Sequence, residues 1–236
     1  MFHGEGAFWD PGVRALRYVD MLAGDVLTVV DGVTTRVHVG DVAALVRARR
    51  QGGYVVATER GFALCDSQLR VEREIAVFDD PRVRMNEGAC DARGRLFCGS
   101  MAYDIRHDGG QLYRLDPDLS VHVALPGVTI PNGLVWSYDD RRAFHADTGA
   151  RRISMYEYDV EHGTLSERET FIDFSGATGV PDGMASDLEG GLWVAMWNGA
   201  AVHRYDREGR LTATIPLPVT NVTSCAFGGP GGTKLF

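Results

Sequence analysis

Six short apolar runs, each preceded by a Gly or Asp turn, recur along the chain: Leu16-Arg17-Tyr18-Val19, Tyr54-Val55-Val56-Ala57, Leu96-Phe97-Cys98-Gly99, Ala143-Phe144-His145-Ala146, Leu192-Trp193-Val194-Ala195 and Lys234-Leu235-Phe236. Between Tyr18, Val55, Phe97, Phe144, Trp193 and Leu235 the intervals are 37, 42, 47, 49 and 42 residues. That is the period of a four-stranded propeller blade.

A second run follows one strand later in each complete interval, in Asp25–Val29, Gly61–Cys65, Gln111–Leu115, Arg152–Tyr156 and Ala201–Tyr205. Each repeat therefore reads strand, turn, strand, turn, with β-branched and aromatic residues where strands need them. The one helix-like stretch, Gly40–Arg47, is in phase with the repeats and reads more simply as an inner strand. Asp159–Glu167 reads as a charged hairpin loop. The expected fold is all-β, a six-bladed β-propeller forming a single domain over residues 1–236. Both ends look cut: the sixth repeat stops at Phe236, and Glu5 lies close to the start, so the closing blade is expected to be incomplete, with sheet edges exposed.

Composition fits. A chain of 236 residues, 44% hydrophobic, can bury a substantial core, and 29 glycines suit many tight turns. A formal net charge of −8 argues against nucleic acid or an anionic membrane as partner, and the Arg47, Arg49, Arg50 cluster reads as a solvated loop. Cys65, Cys90, Cys98 and Cys225 have no C-x-x-C spacing and read as free thiols in a reducing compartment. With no apolar leader and no run of 18 apolar residues, the expected location is cytoplasmic.

Counting back from the strand markers locates a polar slot. Asn86 lies 11 residues before Phe97, Asn132 12 before Phe144, Asp182 11 before Trp193, Ser224 11 before Leu235 and Glu5 13 before Tyr18. Any one of them reads as a turn residue, since Asn-Gly and Asp-Gly are ordinary turn dipeptides. In a propeller, however, equivalent slots are related by rotation about the axis, so these residues should converge on the channel mouth. Carboxylates and amides gathered there call for a counter-charge, and an all-oxygen donor set favours a hard divalent cation such as Ca²⁺, Mg²⁺ or Mn²⁺.

On six ordered segments the chain resembles the SMP-30/gluconolactonase/LRE-like family. The segments are Gly4–Trp9, Arg84–Gly88, Gly99–Met101, Pro131–Ser137, Pro181–Met184 and Thr223–Gly229. The resemblance implies a six-bladed propeller, hydrolysis of sugar lactones and a single divalent metal, Ca²⁺ first, with Mg²⁺, Mn²⁺ or Zn²⁺ admissible. It implies Glu5, Asn132 and Asp182 as metal ligands and Arg84 and Asn86 as substrate contacts, with Met85 and Glu87 standing where Phe and Asp are commoner. An acidic substrate contact would fall on Asp104, one carbon shorter than the usual Glu.

Hydrolysis needs a polarised carbonyl, a water and a proton acceptor, and Asp182 is the candidate base as well as a ligand. No Gly-x-Ser-x-Gly elbow is present, and the seven histidines, His3 among them, occupy unrelated repeat positions; His145 and His203 read as strand residues. Gly228–Gly232 lacks the Lys-Ser/Thr of a phosphate loop and reads as a turn. The rival readings are a non-catalytic calcium- or ligand-binding propeller, and a hydrolase of other esters or organophosphates.

Overall fold

The computed structural model describes residues 2–236. Five four-stranded antiparallel sheets, blades 1 to 5, follow one another along the chain, each with its strands in sequential order. Their innermost strands are Gly4–Asp10, Leu45–Ala48, Val83–Cys90, Pro131–Trp136 and Val180–Ser186. Second strands run Ala15–Asp20, Tyr54–Ala57, Leu96–Ala102, Arg142–Asp147 and Leu192–Trp197, and hold the first five apolar markers. Third strands (Asp25–Val30, Gly61–Cys65, Gly110–Leu115, Arg152–Asp159, Ala201–Tyr205) coincide with the second recurrent run. Outer strands such as Val33–His38 and Leu211–Pro216 are almost wholly exposed.

The burial gradient explains the composition of the runs. A second strand is covered on both faces by neighbouring blades, so Tyr54–Ala57 and Leu96–Ala102 are buried at every position. Such strands read as continuous apolar runs rather than as alternation. The core is accordingly divided into inter-blade layers, with Phe62, Val56 and Leu45 between the early blades and Ile153, Phe174 and Val194 between blades 4 and 5. Turns between first and second strands are closed by aspartates: Asp91 Oδ1 accepts from the Arg95 amide at 2.8 Å, and Asp187 Oδ1 from the Gly191 amide at 2.8 Å.

The propeller is confirmed, but the blade number is corrected. Five four-stranded blades are present, and the sixth repeat contributes only Phe227–Gly228 paired with Lys234–Leu235. A blade takes roughly 40 residues, and 12 residues follow Ser224, enough for two short strands. The last segment, from Thr223 to Phe236, nevertheless bridges blade 5 to blade 1. The Gly183 amide donates to Thr223 O at 2.8 Å, Thr223 Oγ1 donates to Gly4 O at 2.7 Å, and the Ala7 amide donates to Ser224 Oγ at 3.2 Å. Trp9 and Phe236 stack with centroids 5.5 Å apart and planes 6° from parallel.

Other expectations resolve in detail. Leu45–Ala48 is the innermost strand expected in Gly40–Arg47, the 159–167 hairpin turns at 160–163, and Pro230–Gly232 is a 3-10 turn between the last two strands. All four cysteines are free. Among the described residues no helix is long and apolar enough to cross a membrane.

Candidate functional site

Four of the five innermost strands carry a β-bulge, and each bulge falls on a slot residue. Register shifts between Glu5 and Phe8, opposite Asn86-Glu87, between Pro131 and Leu134, and between Pro181 and Met184. A bulge breaks the strict in–out alternation of a strand and re-aims side chains. Asn86 and Glu87, adjacent in sequence, are therefore both buried at the centre, as are Glu5, Asn132 and Asp182. Leu45–Ala48 of blade 2 pairs without a shift, and Ala43 and Ala44 precede it with no polar group to offer.

Carboxylate oxygens of Glu5, Glu87 and Asp182 lie within 4.8 Å of one another. Glu5 Oε2, Glu87 Oε2 and Asp182 Oδ1 are buried and have no hydrogen-bond partner among the described residues. Three such oxygens at the meeting point of blades 1, 3 and 5 form an all-oxygen donor set suited to a hard divalent cation.

Beside the carboxylates a hydrogen-bonded chain crosses from blade 3 to blade 5. Arg84 Nη1 donates to Asn86 Oδ1 at 2.8 Å, which turns Asn86 Nδ2 toward Asn132 Oδ1 at 2.8 Å and Pro131 O at 2.8 Å. Asn132 Nδ2 donates in turn to Thr148 Oγ1 at 2.7 Å, and Thr148 donates to Pro181 O at 2.6 Å, next to Asp182. Arg84 thus fixes the amide orientation of both asparagines.

Burial holds the Glu5 carboxyl well above the usual carboxylate range, reinforced by Glu87 and opposed by the Gly6 amide and Arg84. Burial likewise lifts Glu87 to about 7, with Arg47 opposing. Asp182 is raised well above its ordinary value by burial, then by Glu5 and Glu87, and only the Gly183 amide opposes the rise. Each glutamate has an arginine against it; Asp182 has none. At the mouth, His3 Nε2 is 3.5 Å from Glu5 Oε1 and its ring stacks on Trp197 at 6.3 Å.

The slot residues Glu5 and Asp182 are brought together directly, and Arg84, Asn86 and Asn132 through the hydrogen-bonded chain. Asp104 is not joined to them: it sits on the loop after Leu96–Ala102 with a side chain 64% exposed, 3.4 Å from Arg106 Nη1. Its neighbour Tyr103 marks the rim, with the Arg84 guanidinium 5.9 Å from its ring. Glu87 was missed because the slot count admits one residue per blade, although it stands beside Asn86 in the same motif. Arg47, expected in a solvated loop, is instead half-buried in an innermost strand and bonded to Gly88 O at 2.8 Å. A cleft of about 1120 Å³ beneath blades 4 and 5, with Trp136, Trp193 and Arg204 on its walls, contains none of these residues.

A model of the SMP-30/Gluconolactonase/LRE-like region matches residues 3–236. Regucalcin of Danio rerio is 36% identical over 240 residues, covering 99% of this chain and 81% of that protein. Pentonolactonase XacC of Haloferax volcanii is 36% identical over 248 residues, covering 99% and 80%. The solved structure of a calcium-binding protein, regucalcin, from Agrobacterium tumefaciens superposes with a TM-score of 0.93 at 27% identity, covering 100% of this chain and 81% of that one.

Proposed function

The chain belongs to the SMP-30/gluconolactonase/LRE-like family, and from that premise we propose that it hydrolyses sugar lactones to aldonic acids with one divalent cation held at the Glu5–Glu87–Asp182 centre. The observation that carries this reading is the trio of buried, unpartnered carboxylate oxygens set beside the Arg84–Asn86 pair. Pentonolactonase activity in a relative of 36% identity supports the substrate class.

Glu5 and Asp182 would hold the ion, with Glu87 as a third carboxylate and Asn132 presenting its amide oxygen. Ca²⁺ fits this hard-oxygen set first, and Mg²⁺, Mn²⁺ or Zn²⁺ could substitute. When bound, such an ion would supply positive charge to polarise the lactone carbonyl. Asp182, the carboxylate without a cationic neighbour, accepts the proton of the attacking water. As the acyl carbon–ring oxygen bond breaks, that proton passes to the ring oxygen, which leaves as the hydroxyl of the open-chain acid. Arg84 and Asn86 orient sugar hydroxyls by hydrogen bonds, and Asp104 meets the distal end of the substrate from the rim.

The test is a pH-drop assay over a panel of aldonolactones, with chelator and with added Ca²⁺ or Mn²⁺. Turnover abolished by chelator and restored by one of these ions is expected. Undiminished turnover in chelated protein would remove the ion, and no turnover on any lactone would leave the second reading, a calcium-binding propeller, which the three orphaned carboxylate oxygens also suit.

A further inference from the structure

Blade 2 is the one four-stranded blade that gives the central ring no oxygen ligand. What it sends inward is a cation. Arg47, in Leu45–Ala48, donates from Nη2 to Gly88 O at 2.8 Å and from Nη1 to Val46 O at 2.8 Å and Gly6 O at 3.4 Å. Gly6 and Gly88 are the residues immediately after Glu5 and Glu87, so the guanidinium straddles the two bulges that aim those carboxylates. Its carbon sits 5.5 Å from the Phe8 ring centroid, which holds the planar group in place.

We propose that Arg47 is a built-in counter-charge of the acidic centre, one that stabilises the ion-free site and lowers its affinity for a divalent cation. Three carboxylates in a buried space repel one another, and each of them carries a partner-free oxygen facing the same ion position. Arg84 offsets the cluster from the mouth; Arg47 offsets it from the blade 2 side, beneath Gly6 and Gly88. A fixed positive charge bonded to the residues that follow Glu5 and Glu87 must oppose a second cation by the same Coulomb term that steadies the ion-free site. The consequence is an ion held loosely enough to exchange, with less of its charge quenched by the ligands and more left for a substrate oxygen.

The inference rests on the reading that an ion occupies the carboxylate cluster, and calorimetric titration of the chelator-stripped protein with Ca²⁺ and with Mn²⁺ tests both. Arg47→Met, which keeps the apolar stem against Phe8, is expected to bind either ion roughly three- to tenfold more tightly than the parent. Its ion-free melting temperature should fall, while Ca²⁺ raises it by more than in the parent. Arg47→Lys, which keeps the charge and loses the fork, should bind with parental affinity. A merely structural arginine would lower the melting temperature in both variants and tighten binding in neither. Unchanged or weaker binding by Arg47→Met overturns the proposal alone; a parent that binds neither ion overturns the metal reading and this proposal with it.

Discussion

Replacing Asp182 with Asn keeps an oxygen at the ion position and takes away nearly all its basicity. Lactonase kcat in Asp182→Asn is expected to fall by about 100-fold or more, well beyond the change in ion affinity measured by calorimetry. Asn86→Ala should act otherwise. Its Oδ1 receives Arg84 and its Nδ2 holds Asn132 and Pro131, so KM rises and chelator sensitivity is retained. His145 offers a prediction independent of the ion. It is fully buried on a second strand, its Nε2 lacks a partner, and burial lowers its value from 6.5 to about 4. The folded chain therefore keeps the ring neutral while the unfolded chain protonates it below 6.5, so this contribution is intact above pH 6.5 and lost as pH falls toward 4. Urea unfolding should show the parent losing up to about 3 kcal/mol more than His145→Leu over that interval. His145 was legible as a strand residue. Glu87 and Arg47 were not legible as site residues, because Glu87 is turned inward by a bulge and Arg47 meets the centre only through Gly6 O and Gly88 O on neighbouring blades.

Bulges are the elements on which the centre depends, and Gly88 shows how little slack they have. A Cβ there would lie 1.9 Å from Phe97 O, in the strand that pairs with the bulge. Gly88→Ala must push the Leu96–Ala102 strand away, which should cost about 3 kcal/mol in thermal or urea unfolding and reduce ion binding through misdirection of Glu87. Parental stability in that variant would show the bulge to be compliant. Strand periodicity was readable because second and third strands are packed between blades and each keeps an apolar run, even where it admits a buried polar residue such as Arg17 or His145. The innermost strands are different. In Val83-Arg84-Met85-Asn86-Glu87-Gly88 the apolar–polar alternation runs only as far as Asn86 and breaks at Glu87, and the pairing register shows that break to be a bulge. Blade 2 agrees with the count from the other side: its innermost strand is unbulged and preceded by Ala43 and Ala44, and the slot count names no residue for that repeat.

At the scale of the whole molecule the ring is joined by the small sheet after Ser224, and its seam lies next to the site. Trp9 stacks on Phe236 at the outer end of the same strand whose inner end carries Glu5, and Thr223 O takes the Gly183 amide next to Asp182. Trp9→Ala should destabilise by about 2 kcal/mol, a drop in Tm of roughly 5 °C. Ion affinity should weaken as well, although Trp9 belongs to no ligand set, because Glu5 loses its anchor; calorimetry on the variant below its Tm checks this. The sixth repeat was legible as a marker at Leu235, and its reduction to two strands follows from the 12 residues after Ser224. The three carboxylates also come from positions 5, 87 and 182. A chain growing from its N-terminus has two of them long before the third, so a nascent polypeptide that has folded blades 1 to 4 holds a pair of mutually repelling acids and no centre. The three-carboxylate cluster is complete only when blade 5 docks, so an intermediate arrested before that step lacks it.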